Sequence, residues 1–217
     1  MWVRTRAAAI LLALCCVDAS GAVADPAGSC DPMARMNDNA KALRAQQRFP
    51  EALSVVQKIL AQSPDDFRAN YTNALIALDL GRNDRSKWLA ATKQLEGVLP
   101  LLTKQSPACA KDKNFYSIYN TLGVEYYNQG NVPLAKKYYD LAFSNFDKLN
   151  ADTQGKLLDN LGLIAYRQND FVCAATYFTK AEKAGAKNAS YHLGLAAKVL
   201  SSANDKRTCQ TAAGKLL

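Results

Sequence analysis

The sequence lacks the residues from which most catalytic and metal centres are built. Its 217 residues include a single histidine, His192, and its six cysteines contain no Cys-x-x-Cys pair. It also has no glycine-rich phosphate loop of the Walker or dinucleotide-binding type. A zinc site, a redox dithiol and a nucleotide site are therefore without support. We expect no catalytic residue, no metal ligand and no cofactor, and His192 to be a surface or partly buried helical residue.

The sequence also lacks an apolar run long enough to cross a membrane. The run AAAILLALCCV, residues 7–17, has eleven residues, whereas a spanning helix needs about 20. It follows the positive start MWVRTR and precedes Ala22-Val23-Ala24, small residues of the kind that signal peptidase reads. The pattern predicts a cleaved signal peptide over 1–24 and an N-terminal tail over 25–31, with no transmembrane anchor. The mature chain is then expected to be periplasmic or secreted.

A lipid anchor at the N-terminus is the competing interpretation of this segment. Bacterial lipoprotein signals place a small residue before the modified cysteine. Here a leucine precedes Cys15, and a cysteine precedes Cys16. Cys30 follows small residues but lies far beyond the apolar run, so cleavage is favoured over lipidation.

Runs of like charge are absent as well. The formal net charge is +8, but lysine and arginine are scattered, and no basic tail is present. A basic surface could suit nucleic acid, anionic lipid or an acidic protein. Because export makes nucleic acid the least expected of these, we expect no nucleic acid. The expected partner is a protein or peptide, and an acidic partner is one candidate.

What the sequence does contain is a recurring ladder of apolar and small residues. Its first clear copy is Tyr119, Leu122, Gly123, Tyr126, Ala135, Tyr139 and Ala142. The same spacings return in Leu158, Leu161, Gly162, Ala165, Ala174, Phe178 and Ala181, and Leu193-Gly194 begins a third copy. The ladder resembles the tetratricopeptide repeat, in which Leu-Gly and an aromatic residue lie on a first helix and alanines and an aromatic residue on a second.

This resemblance implies an all-α fold, a right-handed superhelical stack of antiparallel helix pairs. Weaker upstream copies, such as Ala40, Leu43, Ala52 and Val56, extend the pattern toward the N-terminus. The repeat domain is predicted over 32–217, with repeats at about 32–66, 67–106, 115–149, 154–186 and 187–217. Apolar residues recur at helical intervals, and no period-two strand pattern is evident.

The resemblance assigns many of the ladder residues to packing between the two helices of a repeat. Small residues should let the helices approach closely, and these are Gly123, Gly162, Ala135 and Ala174. Larger residues should fill the space beside them, and these are Leu122, Tyr126, Tyr139, Leu161 and Phe178. Tyr138, next to Tyr139, is expected to face outward.

Four cysteines remain after cleavage, and an even number in an exported chain favours disulfides. The alternative is that some are small buried apolar residues. Because Cys173 and Cys209 would lie on second helices of successive repeats, the resemblance favours pairing them. Cys30 would then pair with Cys109.

The resemblance also implies that the first helices line an inner groove on which peptides dock. The corresponding positions are Lys41, Arg44, Arg68, Tyr71, Asn120, Tyr127, Asn128, Lys156, Asp159, Tyr166, Arg167 and Tyr191. Tyr127 and Tyr166 occupy equivalent positions, so their phenols are expected side by side. Lys156 and Arg167 would suit an acidic group.

These patterns predict a non-enzymatic adaptor or scaffold in the cell envelope that binds a peptide segment or a partner subunit. One alternative is a structural module that forms homo-oligomers through its terminal repeats and uses no peptide groove. A further alternative is an accessory enzyme that depends on the thiols or on His192.

Overall fold

The computed structural model describes residues 33–104, 115–201 and 209. The described residues belong to one compact unit. The described helices are α1 (Ala34–Ala45), α2 (Phe49–Gln62), α3 (Phe67–Gly81), α4 (Arg85–Glu96), α5 (Leu99–Thr103), α6 (Ser117–Asn128), α7 (Val132–Phe143), α8 (Ala151–Arg167), α9 (Phe171–Lys183) and α10 (Ala189–Leu200). A short 3-10 helix covers Phe146–Lys148. No strand occurs in the described ranges, so the all-α prediction is confirmed.

The helices pack in consecutive pairs, α1 with α2, α3 with α4, α6 with α7, and α8 with α9. A three-residue connection joins the helices of each pair, at 46–48, 82–84, 129–131 and 168–170. Connections this short place the two helices antiparallel. α10 packs on α9 and α8 as the first helix of a further unit. The short helix α5 follows the second pair. The described part of the chain is thus a stack of helix pairs.

Three of the four pair connections share a backbone geometry. Their middle residues, Gln47, Gly130 and Asn169, have φ values of 60°, 80° and 60°. One left-handed residue ends the first helix and reverses the chain. Side chains then cap the next helix, as Asn131 does for the N–H of Leu134 and Asp170 for that of Cys173. These caps explain why α7 and α9 begin where they do.

Inside each pair, an aromatic ring of the second helix fills the notch left by a glycine of the first. A Cβ added to Gly123 would meet the ring of Tyr139, and one added to Gly162 would meet the ring of Phe178. Both rings are buried, as are Leu122 and Leu161. Ala135 and Ala174 are fully buried beside them, and Tyr126 is half-buried against the same core. The close approach of the helices depends on these small residues.

The prediction that Tyr138 faces outward is wrong. Its side chain is buried, stacks on Tyr126 with ring centroids 5.6 Å apart, and donates a hydrogen bond of 2.7 Å to Glu96. Burial and the Glu96 carboxylate raise the pKa of both phenols above the usual value. The reason is that Tyr138 lies on the side of α7 toward the preceding pair, where it belongs to the same buried cluster as Ala91 and Leu95 of α4. A second helix therefore buries two faces, and the side chain next to the signature aromatic residue is also covered.

A polar contact crosses the same junction between the second and third pairs. Trp88 Nε1 donates to Oε2 of Glu125 at 2.6 Å, and Glu125 is only 4% exposed. Gln129 Nε2 donates to the hydroxyl of Thr92 at 2.9 Å. Both bonds link α4 to the region around the end of α6, so the added helix α5 does not interrupt the stacking.

Cys173 and Cys209 form a disulfide, which ties residue 209 back to the first turn of α9. The sequence had favoured this pair. The other candidates, Cys30 and Cys109, lie outside the described residues, as do the signal peptide and the N-terminal tail. Among the described helices, none has the length and apolar character needed to cross a membrane.

Candidate groove on the first helices

The first helices of successive pairs line two neighbouring depressions, which together we call the groove. The first depression, of about 310 Å³, has a floor of Phe67, Tyr71, Leu75 and Phe115. The second, of about 450 Å³, is lined by polar side chains, among them Asp159 and Asn160. Asn120, Asp152 and Lys156 line both depressions. The two are therefore continuous along α3, α6 and α8.

The floor of the first depression is an aromatic cluster. The rings of Phe67 and Phe115 lie 4.8 Å apart, and those of Phe67 and Tyr71 lie 5.8 Å apart. Both phenylalanines are buried in the core beneath. Since the same rings belong to the core and to the cavity wall, the floor is fixed by the packing of α3 against α6.

Positive side chains line the same depression above this floor. They come from three helices and are Lys41, Arg44, Arg68 and Lys156, against one lining carboxylate, Asp152. Arg44 is bonded to Asp79 at 2.8 Å, Arg68 to Asp38, and Lys156 to Asp152 at 2.6 Å. Lys41 is exposed and has no ion pair among the residues that the structure describes. The lining of the first depression is thus cationic.

A row of hydrogen bonds runs along the first helices, one at each of three successive junctions. We call this row the seam, and its members are Tyr71 with Thr121 at 2.7 Å, Asn120 with Asn160 at 3.1 Å, and Asp159 with His192 at 2.8 Å. The position of each partner within its repeat is the same in all three bonds. One partner stands three residues before the small signature residue of its repeat, which is Ala74, Gly123 or Gly162. The other stands two residues before the signature glycine of the following repeat. The seam therefore joins equivalent pairs of repeat positions at each of the three junctions.

The direction of two seam bonds follows from their surroundings. The Thr121 hydroxyl donates to the carbonyl of Ser117 at 3.2 Å, so the Tyr71 hydroxyl donates to Thr121. Burial of Tyr71 raises the pKa of its phenol, which keeps this donor protonated. The Asp159 carboxylate can only accept, so Nδ1 of His192 carries the proton in their bond.

The predicted groove residues divide into two groups. Those that line the depressions are Lys41, Arg44, Arg68, Tyr71, Asn120, Lys156 and Asp159. Those outside the lining of both are Tyr127, Asn128, Tyr166, Arg167 and Tyr191. The first group lies toward the N-terminal ends of α3, α6 and α8 and along α1, whereas Tyr127, Asn128, Tyr166 and Arg167 lie at the C-terminal ends of α6 and α8.

The two phenols expected side by side have separate partners. The guanidinium carbon of Arg167 lies 4.3 Å from the ring centroid of Tyr127, a cation–π contact. Tyr166 instead packs edge-to-face on Phe171, with ring centroids 5.2 Å apart. Arg167 was expected to meet an acidic ligand. Its guanidinium instead lies over the ring of Tyr127 within the chain.

Sequence reasoning missed three seam residues, Thr121, Asn160 and His192. A signal was available, because all three stand two residues before Gly123, Gly162 and Gly194. Phe115 was also missed, since it precedes the repeat ladder. His192 is a half-buried helical residue, as expected, and its partner Asp159 comes from the neighbouring repeat, 33 positions away in the sequence.

His192 and the two described cysteines are thus engaged in structural contacts. His192 packs on Phe178, with ring centroids 5.3 Å apart, and bonds Asp159. Cys173 and Cys209 are bonded to each other, so neither offers a free thiol. Within the described ranges, no three His, Cys, Asp or Glu side chains group in a way that could hold a metal ion.

The comparisons with known proteins agree with this geometry. Residues 37–94, which cover most of α1, all of α2 and α3, and most of α4, match the family model of the tetratricopeptide repeat. The chain contains tetratricopeptide repeats. Such repeats are in general non-enzymatic modules for protein–protein interaction, and the predicted family is confirmed.

The fold of the repeats is also similar to a solved structure, the crystal structure of BtubC (BKLC) from P. vanneervenii. The TM-score is 0.53 with 15% sequence identity, and 87% of each chain is covered. At this identity the similarity concerns the fold alone. No curated protein matches the sequence.

Proposed function

We propose that this protein is a non-enzymatic adaptor that binds an extended segment of a partner protein in the groove. The observation that carries the proposal is the continuity of the two depressions along the first helices. A continuous cleft with an apolar floor at one end and carboxamides along its length suits a peptide better than a compact small molecule.

The carboxamide pair at the centre of the groove supports recognition of a peptide backbone. Asn160 gives one N–H to the carbonyl of Asn120, and the pair lies where the two depressions meet. An amide side chain has two N–H groups and a carbonyl, so donors and an acceptor remain after this bond. A peptide unit offers the complementary donor and acceptor. The seam would therefore hold a bound backbone without demanding particular side chains.

We place this adaptor in the cell envelope. The segment of residues 1–24 has the charge, apolar run and small residues of a signal peptide. The Cys173–Cys209 disulfide supports the same placement, because such bonds persist mainly in oxidising compartments. The intact mass of protein from the envelope fraction of the native host tests this. A mature chain that begins at Asp25 is expected, and an uncleaved chain in the cytosol would refute the placement.

Peptide binding to a matched pair of variants tests the groove. Peptides selected from a displayed random library are measured by fluorescence anisotropy against the mature protein. Leu75→Glu places a carboxylate on the apolar floor, and Leu141→Glu makes the same change at an exposed position on α7. We expect the first to weaken binding at least tenfold and the second to leave it unchanged, with both variants folded by circular dichroism. Equal affinities would mean that peptides bind elsewhere.

A second candidate function is self-assembly through the last described helix. On α10, Tyr191 is 69% exposed and Leu195 is 37% exposed, one turn apart on one face. This apolar face supports the alternative of an oligomerising module. Light scattering of the wild type and of the Tyr191→Ser, Leu195→Ser variant decides it. A dimer that dissociates in the variant would favour self-assembly, and a monomeric wild type would remove it.

A further inference from the structure

The aromatic floor and the cations of the first depression together indicate which partner segment the groove takes. Phe67, Tyr71 and Phe115 form a cavity floor, and the cavity of about 310 Å³ is large enough for one bulky side chain. Burial of such a side chain on aromatic rings is the main source of affinity in pockets of this kind.

The charges around the floor determine what flanks that side chain. Four cations line the first depression, whereas Asp152 is the only carboxylate in the lining. The second depression is balanced, with Asp152 and Asp159 beside Lys156 and Lys187. Asp79 and Asp38, which pair with Arg44 and Arg68, reduce the excess at the first depression to one positive charge, and the second depression has none.

Two of the lining cations retain binding capacity. Arg44 uses Nε for its bond to Asp79, and a guanidinium has further N–H donors on its two terminal nitrogens. Lys41 is exposed, one turn before Arg44 on α1, and no described residue pairs with it. Acidic side chains of a peptide bound near the floor would meet both Lys41 and Arg44. Attraction between these opposite charges would also speed the association of the peptide with the protein.

We propose that the bound segment carries a bulky apolar residue, of which phenylalanine is the model, flanked by acidic residues in the interior of a chain. This rests on the proposed peptide groove and names its specificity. The apolar residue occupies the aromatic floor of the first depression. The acidic residues on either side face Lys41 and Arg44 on α1 and Arg68 and Lys156 on the neighbouring helices. The rest of the backbone continues over Asn120 and Asn160.

Three labelled peptides with the same Gly-Ser host and amidated C-termini test this specificity on the mature protein. Their central residues are Glu-Phe-Glu, Lys-Phe-Lys and Glu-Gly-Glu. Fluorescence anisotropy is expected to show that the first binds at least tenfold more tightly than either of the others, with an affinity that falls as salt is added. A Lys-Phe-Lys or Glu-Gly-Glu peptide that binds equally well would overturn the proposal.

Two charge-reversal variants test where on the protein the acidic residues of the peptide bind. Lys41→Glu should weaken Glu-Phe-Glu binding at least fivefold, and Lys58→Glu, the same change at an exposed position on α2, should not. Unchanged binding by Lys41→Glu would overturn the placement. Glu-Phe-Glu binding that requires a free C-terminal carboxylate would overturn the interior position.

The two proposals fail in different ways. If library-selected peptides depend on Leu75 but show no preference for acidic flanks, the peptide groove stands and the specificity falls. If neither those peptides nor Glu-Phe-Glu responds to Leu75→Glu, the groove itself is refuted.

Discussion

Gly123 and Gly162 are conformationally ordinary helical residues whose importance lies in the space above them. A Cβ on either would come closer than 3.0 Å to the ring of the paired aromatic residue, a distance that real Cβ atoms do not adopt. Gly194 stands at the same point of the last unit, and no described atom lies within 4 Å of its added Cβ. Packing therefore requires glycine at positions 123 and 162, whereas at position 194 the described part of the structure leaves room for a side chain.

Alanine at Gly123 and alanine at Gly194 should change the free energy of unfolding in opposite directions. Gly123→Ala forces the Tyr139 ring or the helix to move, and we expect the free energy of unfolding to fall by about 1–3 kcal/mol. Gly194→Ala meets no described atom and gains helix propensity, so a rise of up to about 1 kcal/mol is expected. Urea titration followed by circular dichroism measures both. Equal losses would show that the glycines serve some purpose other than ring packing.

Tyr177 should make the protein sensitive to alkali. Its burial, with smaller effects from the Asp140 and Asp170 carboxylates, raises its pKa to about 12 from the usual 10.0. Because the folded state holds the phenol proton more tightly, this stabilisation is complete below about pH 10 and is lost as pH rises toward 12.

A Tyr177→Phe variant isolates that contribution. Between about pH 8 and pH 11 the wild type should lose about 1 kcal/mol more stability than the variant, since one group with this shift contributes about that much. Unfolding free energies at the two pH values provide the measurement. The same pH dependence in both proteins would contradict the assignment.

At the scale of elements, the seam holds successive first helices in register. Asn120 is buried, and its carbonyl accepts from Asn160 on the next first helix. A buried carboxamide without its partner costs more than the bond itself contributes, because it has already lost its water.

Asn160→Ala should therefore lower the free energy of unfolding by about 1–3 kcal/mol. Asn128→Ala provides the matched control, because Asn128 is exposed at the end of α6 and a change of about 0.5 kcal/mol or less is expected there. Urea denaturation compares the two. If the two variants are equally stable, the seam does not support the stack.

The helices and the seam differ in how far the sequence predicts them. The caps at Asp66, Asn131 and Asp170 depend on residues within three positions of the cap, and Gly123 and Gly162 lie where the repeat spacing predicts small residues. The seam joins residues 50, 40 and 33 positions apart. These separations vary because loops of different length lie between the repeats, so only alignment by repeat position could have revealed the pairs.

At the scale of the whole molecule, the disulfide fixes the end of the described stack. It joins Cys173 to a residue 36 positions later and so encloses α10. A cross-link of this loop length reduces the freedom of the unfolded chain, for which about 2–4 kcal/mol is typical.

Replacing both cysteines by serine should lower the free energy of unfolding by that amount, about 2–4 kcal/mol. Dithiothreitol should lower the stability of the wild type by at least this amount, and by more than it lowers the stability of the double variant, in which only Cys30 and Cys109 can still be reduced. Urea titrations with and without reductant test both statements. A wild type that is equally stable in reductant would contradict the structural importance of the bond.

The repeat pattern predicts which positions lie on the first helices, but not which side chains engage one another there. Lys41, Arg44 and Tyr71, which it places on the groove, line the first depression. It could not show that Arg167 would cover Tyr127, because that contact depends on side-chain packing across two repeats. It could not show that Phe115 would close the floor either, because this residue follows an insertion that the repeat does not specify.

The central claim is that a partner segment lies along the first helices. Amide chemical-shift changes in isotope-labelled protein of residues 25–217, titrated with a peptide selected for binding, test it most directly. The largest changes should fall on α1, α3, α6 and α8, around Lys41, Tyr71, Asn120 and Lys156. Changes concentrated on the second helices α2, α4, α7 and α9 would contradict the groove.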